Sequence, residues 1–162
     1  MAKSENKTNV MRILEQHGIN YIPHEYDFSD GGISAQEVAE KLGENGKIFK
    51  TLVTEGASGE NYVFVIPGEN ELDLKKAAKA VGEKSIAMVK QARLLPLTGY
   101  VHGGCSPIGM KKQFKTCFDE EIILHDTILV SAGKIGKQVE AAPSDLVAIT
   151  GATVQEVSHP KQ

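Results

Sequence analysis

Apolar positions recur at helical spacing in some stretches of the chain and alternate at strand spacing in others. The first helical period begins near Thr8, an N-cap residue type, places Val10, Ile13 and Leu14 on one face, and stops at Gly18. Tyr21 to Tyr26 reads as an edge strand, because Pro23 has no amide hydrogen to give a ladder. Ser34-Ala35-Gln36-Glu37 has the form of a capping box and opens a short helix through Val38, Ala39 and Leu42, closed by Gly43. Strands follow at Ile48 to Glu55 and Asn61 to Ile66, joined by the glycine-containing loop Gly56 to Glu60. Asp73 starts a helix carrying Leu74, Ala77, Ala78 and Val81, ended by Gly82.

Shorter elements fill the second half. An apolar piece at Ile86 to Val89 precedes a helical turn near Gln91 to Leu95 and a strand at Tyr100 to His102. Strands are expected at Ile122 to Leu124, Thr127 to Val130 and Gln138 to Ala141, the last two joined by a glycine turn. Ser144 is expected to cap a final helix through Leu146, Val147 and Ile149, before a strand at Thr153 to Val157. Many short strands mixed with brief helices predict one α/β domain over 1–162, with a mixed sheet that is strongly curved or closed as a barrel.

Within that pattern Lys50 stands out. In Ile48-Phe49-Lys50-Thr51-Leu52-Val53, alternation puts Ile48, Lys50 and Leu52 on one face and Phe49, Thr51 and Val53 on the other. Both faces are mostly apolar, as in a strand covered on both sides. An ammonium there is costly to desolvate unless it reaches water, a carboxylate or an anionic ligand. Periodicity alone favours the first of these, with Lys50 snorkelling out at the strand edge.

Composition narrows the classes. The 162 residues carry a net charge of −3, and the lysines are clustered locally rather than in excess. Nucleic-acid binding unaided normally draws on a basic face, so an RNA ligand here implies weak binding or a partner protein that shares the hold. No apolar run reaches bilayer length, and MAKSENKTNVMR opens into a polar helix rather than an apolar signal segment. Cys105 and Cys117 are too few for a disulfide framework and lack metal-site spacing, so both read as reduced thiols of a cytoplasmic protein.

Two glycine-rich segments allow a ligand close to the backbone: His102-Gly103-Gly104-Cys105-Ser106-Pro107-Ile108-Gly109 and Ser131-Ala132-Gly133-Lys134-Ile135-Gly136-Lys137. Taken alone, each reads as an ordinary tight turn. Ser106 lacks the glycine spacing of a nucleophile elbow, and the second segment lacks the Lys-Ser/Thr ending of a phosphate loop. Asp119, Glu120 and Glu121 read as a solvated turn.

These segments together resemble the YbaK/EbsC family, free-standing proteins similar to the editing domain of bacterial prolyl-tRNA synthetases. The resemblance rests on Phe49-Lys50-Thr51-Leu52, on Leu72 to Lys79, on Gly99-Tyr100 followed by Gly103 to Gly109, and on Ser131 to Gly136, in that order and spacing. It implies a curved, barrel-like mixed sheet surrounded by helices and deacylation of mischarged tRNA(Pro), typically Cys-tRNA(Pro). It also implies no metal or other cofactor, and prolyl-tRNA synthetase as partner. By position, Lys50 matches the family's functional lysine. Tyr26, Thr51, Gly103, Gly104, Ser106, Ser131 and Gln138 then fall in the substrate pocket. Members of the YbaK branch often carry aspartate where this chain has Gln138, whereas the EbsC-like branch tolerates glutamine. The family's chemistry uses the thiol of the substrate cysteine as nucleophile, which agrees with a chain that shows no Ser, Cys or His triad.

Overall fold

The computed structural model describes residues 7–44 and 46–161; the opening residues of the expected N-terminal polar stretch, 1–6, lie outside them. Among the described residues there are five α-helices: α1 (Asn9–Gln16), α2 (Ala35–Leu42), α3 (Leu74–Val81), α4 (Gln91–Thr98) and α5 (Pro143–Thr150). The strands are β1 (Ile22–Glu25), β2 (Phe49–Gly56), β3 (Asn61–Pro67), β4 (Asn70–Leu72), β5 (Ile86–Met88), β6 (Lys115–Asp119), β7 (Ile128–Ser131), β8 (Lys137–Ala141), β9 (Thr153–Gln155) and β10 (Ser158–Pro160).

The caps act where the side-chain chemistry places them. Thr8 accepts the Met11 amide, Ser34 and Glu37 form the reciprocal capping box, and Asp73 accepts the Lys76 amide. Gly43 and Gly82 close their helices in the left-handed region. α5 starts differently from the expectation. Pro143 occupies its first turn, Ala142 is the N-cap, and Ser144 lies inside the helix without capping it.

A mixed five-stranded sheet has the order β5-β2-β3-β6-β9, antiparallel from β5 to β3 and parallel from β3 to β9. Its centre, β3, buries Tyr62, Val63, Phe64, Val65 and Ile66. One face packs Phe49, Val53, Val63, Val65 and Phe118 with Val10, Met11 and Leu14 of α1. The other packs Phe64 and Ile66 with Ala77, Ala78 and Val81 of α3, and Leu52 rests against this side. The two-faced reading of β2 therefore holds, with Phe49 and Val53 on the α1 side and Leu52 on the α3 side.

The remaining strands form a β1-β8-β7 antiparallel sheet and a β10-β4 pair. The expected strongly curved or closed barrel is not found: the strands divide into three sheets. An isolated parallel bridge between Ile48 and Leu129 joins two of these. The outer edge of β2 is the reason. Its C-terminal end pairs with β5 over Thr54 to Gly56, whereas just before its N-terminal end Lys47 C=O accepts the Leu129 amide. Between these contacts no strand among the described residues pairs with that edge, so the ladder forks instead of continuing round.

Other local expectations are corrected. Tyr100 to His102 is not a strand: Gly99 caps α4 in the left-handed region, and the Gly104 amide donates to Val101 C=O in a turn. Ile122 to Leu124 belongs to a 3₁₀ turn rather than a strand. Asp119 is buried rather than solvated, and accepts the Glu121 and Val157 amides.

Candidate functional site

The fork in β2 opens into a cavity of about 320 Å³, within the size range of small-ligand clefts. Lys50, Thr51 and Leu52 form its floor where β2 has no neighbour on that edge. Its walls come from the first turn of α2, from Tyr26 beyond β1, from the His102-Gly103 turn, and from Ser131 and Gln138 of the β7–β8 hairpin. Ser131 and Gln138 face each other across that hairpin, and the Tyr26 amide donates to Gly136 C=O at its turn. The register of one hairpin thus sets three wall residues.

Three buried polar atoms at this cavity have no hydrogen-bond partner among the described residues: Tyr26 Oη, Thr51 Oγ1 and Gln138 Oε1. Buried polar groups are nearly always satisfied, and leaving one unpaired costs about 1–3 kcal/mol. All three residues line the same cavity, which makes it the candidate binding site. β2 adds backbone groups. In its alternation, Lys47 and Val53 turn their carbonyls to the outer edge, accepting from Leu129 and Val89, so Thr51 between them presents its own amide and carbonyl to the fork.

Lys50 is half-buried, and its ammonium is held below the usual lysine range. Burial is the main cause, followed by repulsion from Lys161, with Glu71 opposing. No ion pair with a described residue anchors it. Lys50 lines the cavity.

Gly103 adopts φ +88°, and a Cβ there would sit 2.8 Å from Ile33 Cδ1, so both backbone shape and space favour glycine. Of the residues expected at the pocket, Tyr26, Lys50, Thr51, Gly103, Ser131 and Gln138 line the cavity, whereas Gly104 and Ser106 do not. Gly104 packs against the turn at Lys134 and Ile135, where a Cβ would lie 3.0 Å from the Ile135 nitrogen. Ser106 is fully buried and accepts the Ile108 amide at 3.3 Å, which makes it a strut of the loop. Lys161 lines the cavity too, and no local motif in the sequence marks it.

Cys105, the only thiol at the cavity among the described residues, is pushed up to about 12 by burial and is not poised as a thiolate. Among the described residues no wall serine is hydrogen-bonded to a histidine, and the Ser34 hydroxyl, which donates to Glu37 Oε1 at 2.8 Å, is held in the capping box of α2. The arrangement can bind, orient and polarise a polar ligand. It supplies no activated nucleophile of its own.

The model of the aminoacyl-tRNA editing domain family matches residues 31–149. A protein of Enterococcus faecalis named "Putative Cys-tRNA(Pro)/Cys-tRNA(Cys) deacylase EbsC" is 50% identical over 157 residues, spanning 96% of both chains. A solved structure described as "a putative trans-editing enzyme for prolyl tRNA synthetase" superposes with a TM-score of 0.79 at 29% identity, covering 94% of this chain and 98% of its own. The structure of a hypothetical protein reaches 0.85 at 24% identity, over 94% and 100% of the two chains, and speaks to the fold alone.

Proposed function

The chain belongs to the aminoacyl-tRNA editing domain family, and on that footing we propose that it deacylates mischarged Cys-tRNA(Pro) in trans, acting over 1–162 as one cytoplasmic editing domain. The observation that carries this reading is the convergence of Tyr26 Oη, Thr51 Oγ1 and Gln138 Oε1, all buried and unpartnered, on the cavity that Lys50 enters. An aminoacylated 3′ end supplies what they lack: a protonated amino group for the Gln138 carbonyl oxygen, and ribose and ester oxygens for the two hydroxyls.

Lys50 fixes the 3′ end by its charge, as a positioning cation. Amides around Gly103 face the carbonyl oxygen on which negative charge develops. The substrate provides the nucleophile. Its sulfur bonds to the carbonyl carbon, the bond to the ribose oxygen breaks, and the thiol proton passes to that oxygen. Water then opens the small cyclic thioester to free cysteine. No protein thiolate is needed, consistent with the unactivated Cys105. The near-neutral balance of the surface favours shared binding, with prolyl-tRNA synthetase holding the body of the tRNA.

The test is release of amino acid from separately prepared Cys-tRNA(Pro), Cys-tRNA(Cys), Ala-tRNA(Pro) and Pro-tRNA(Pro), with and without prolyl-tRNA synthetase. Rapid loss of cysteine and retention of proline is the expected pattern. Release of alanine in preference to cysteine would move the assignment to an Ala-tRNA(Pro) deacylase using an ordered water. Inertness toward all four in both conditions would leave a non-catalytic adaptor of the same fold.

A further inference from the structure

Lys161 follows β10 and reaches the same cavity as Lys50 from the far end of the chain. Its position is set by a strap of defined contacts. β10 pairs antiparallel with β4, Asn70 Nδ2 donates to Ser158 Oγ at 3.0 Å, and the Asp73 amide donates to Val157 C=O at 2.8 Å. Pro160 lies opposite Asn70, so the chain leaves the pair toward Glu69 and Gly68, and Gly68 lines the cavity with Lys161. Gly68 in turn donates its amide to Ile48 C=O at 2.8 Å, just before β2 and two residues from Lys50.

Two ammonium groups therefore meet at one cavity, and neither has an ion pair with a described carboxylate. Like charges held together are unfavourable in the free protein, where Glu71 acts against the repulsion at Lys50, and favourable once a dianion or phosphodiester lies between them. The first turn of α2, whose end carries the positive part of the helix dipole, forms part of the same wall. Two lysines line this mouth although the whole chain is acidic, at net charge −3.

We propose that Lys161 is a second positioning residue, which with Lys50 clamps the phosphate on the 5′ side of the terminal adenosine of the tRNA. This deepens the deacylase reading given above and rests on it for the identity of the nucleotide. Lys50 holds the inner side of the phosphate, and Lys161, which is exposed, closes over it from the rim. Specificity for a nucleotide end over a free amino acid ester then comes from the strap rather than from the pocket floor.

Binding measured by titration calorimetry at low salt tests this without requiring turnover. Adenosine 5′-monophosphate stands for the phosphate-bearing end, with adenosine and inorganic phosphate as comparisons. The wild-type protein is expected to bind adenosine 5′-monophosphate about tenfold more tightly than adenosine, the size of one charge-assisted hydrogen bond. Lys161→Ala should cut that advantage severalfold, Lys50 still holding the phosphate, and leave adenosine binding unchanged, while Lys161→Arg preserves it. In hydrolysis, Lys161→Ala should raise KM for Cys-tRNA(Pro) with kcat nearly unchanged, and leave 3′-O-cysteinyl-adenosine, which lacks the phosphate, unaffected. Equal affinity of the wild type for adenosine and its monophosphate, or an advantage undiminished by Lys161→Ala, overturns the proposal. Inorganic phosphate binding as tightly as the nucleotide overturns the assignment to the tRNA end. A phosphate preference that depends on Lys161, in a protein inert toward every charged tRNA, would instead sink the deacylase reading and keep the clamp.

Discussion

Lys47 Nζ donates to Glu140 Oε2 at 2.8 Å, tying the segment that leads into β2 to the middle strand of the β1-β8-β7 sheet. His24 Nε2 lies 2.8 Å from the other oxygen of the same carboxylate, and the Thr127 hydroxyl donates to it as well. This cluster locks together the strands that carry Lys50 and Gln138. The Lys47 and Thr127 hydrogen bonds pull the Glu140 carboxyl down to about 2 from an ordinary value of 4.5.

A pH-dependent stability follows with a definite sign. Between those two values the unfolded chain takes up the proton and the folded one does not, so this contribution is full above about 4.5 and is lost as pH falls toward about 2. Glu140→Gln is expected to cost about 1–3 kcal/mol at neutral pH, as for a buried charge-assisted bond. Urea titrations of both proteins at pH 7, 4 and 3 check it. The gap between them should narrow as pH falls, and a gap independent of pH would rule out the charge as its source.

Lys50→Ala should lower kcat/KM on Cys-tRNA(Pro) by about 100-fold, comparable to removing one preorganised electrostatic contact. Its thermal stability should hold or rise, since an unpaired half-buried ammonium is removed. Because burial and Lys161 hold the Lys50 ammonium below the usual range, the alkaline limb of kcat/KM should fall earlier than an ordinary lysine allows. Full activity in a folded Lys50→Ala protein would return Lys50 to the role of a snorkelling strand residue.

Gln138→Asp puts a carboxylate where a neutral, unpartnered carbonyl oxygen now sits. The expected outcome is a changed ratio of cysteine to alanine release from tRNA(Pro), together with a loss of about 1–3 kcal/mol of stability for burying the charge. An unchanged ratio would show that this position does not read the substrate's amino acid.

Cys105→Ala should keep kcat/KM within about threefold, because a thiol with so little thiolate is a poor nucleophile. Thiol-specific reagents should label Cys105 and Cys117 slowly in the native protein, as both are buried and both are shifted upward. A loss of activity on the scale of Lys50→Ala would make the protein, rather than the substrate, the source of the nucleophile.

Much of the first half of the fold is legible locally. Thr8, Ser34 with Glu37, and Asp73 are side chains that satisfy amides three residues on, so their helices are written in short stretches of sequence. β6 is not, although it is central to the sheet. Its apolar pair Cys117-Phe118 is flanked by Lys115 and Asp119, and its partners β3 and β9 lie far away in the chain. The expected strand at Tyr100 to His102 fails for the opposite reason. Its residues suit a strand, but the Tyr100 hydroxyl donates to Ile108 C=O and folds the segment back over its own loop.

The candidate site divides in the same way. Tyr26, Lys50, Thr51, Gly103, Ser131 and Gln138 fall within recognisable segments, and the structure draws them to one cavity. Gly104 and Ser106 sit inside such a segment but support it from behind. Lys161 is invisible to motif reading, because only the pairing of β10 with β4 brings it there.

That pairing also bears on how the protein is made. The cavity draws its residues from Tyr26 through Lys161, so a growing chain emerging from the ribosome carries β2 and its open edge long before β10 exists to finish the wall. Long-range pairings of this kind close late. The wall of the cavity is therefore complete only once β10 has been synthesised and has paired with β4.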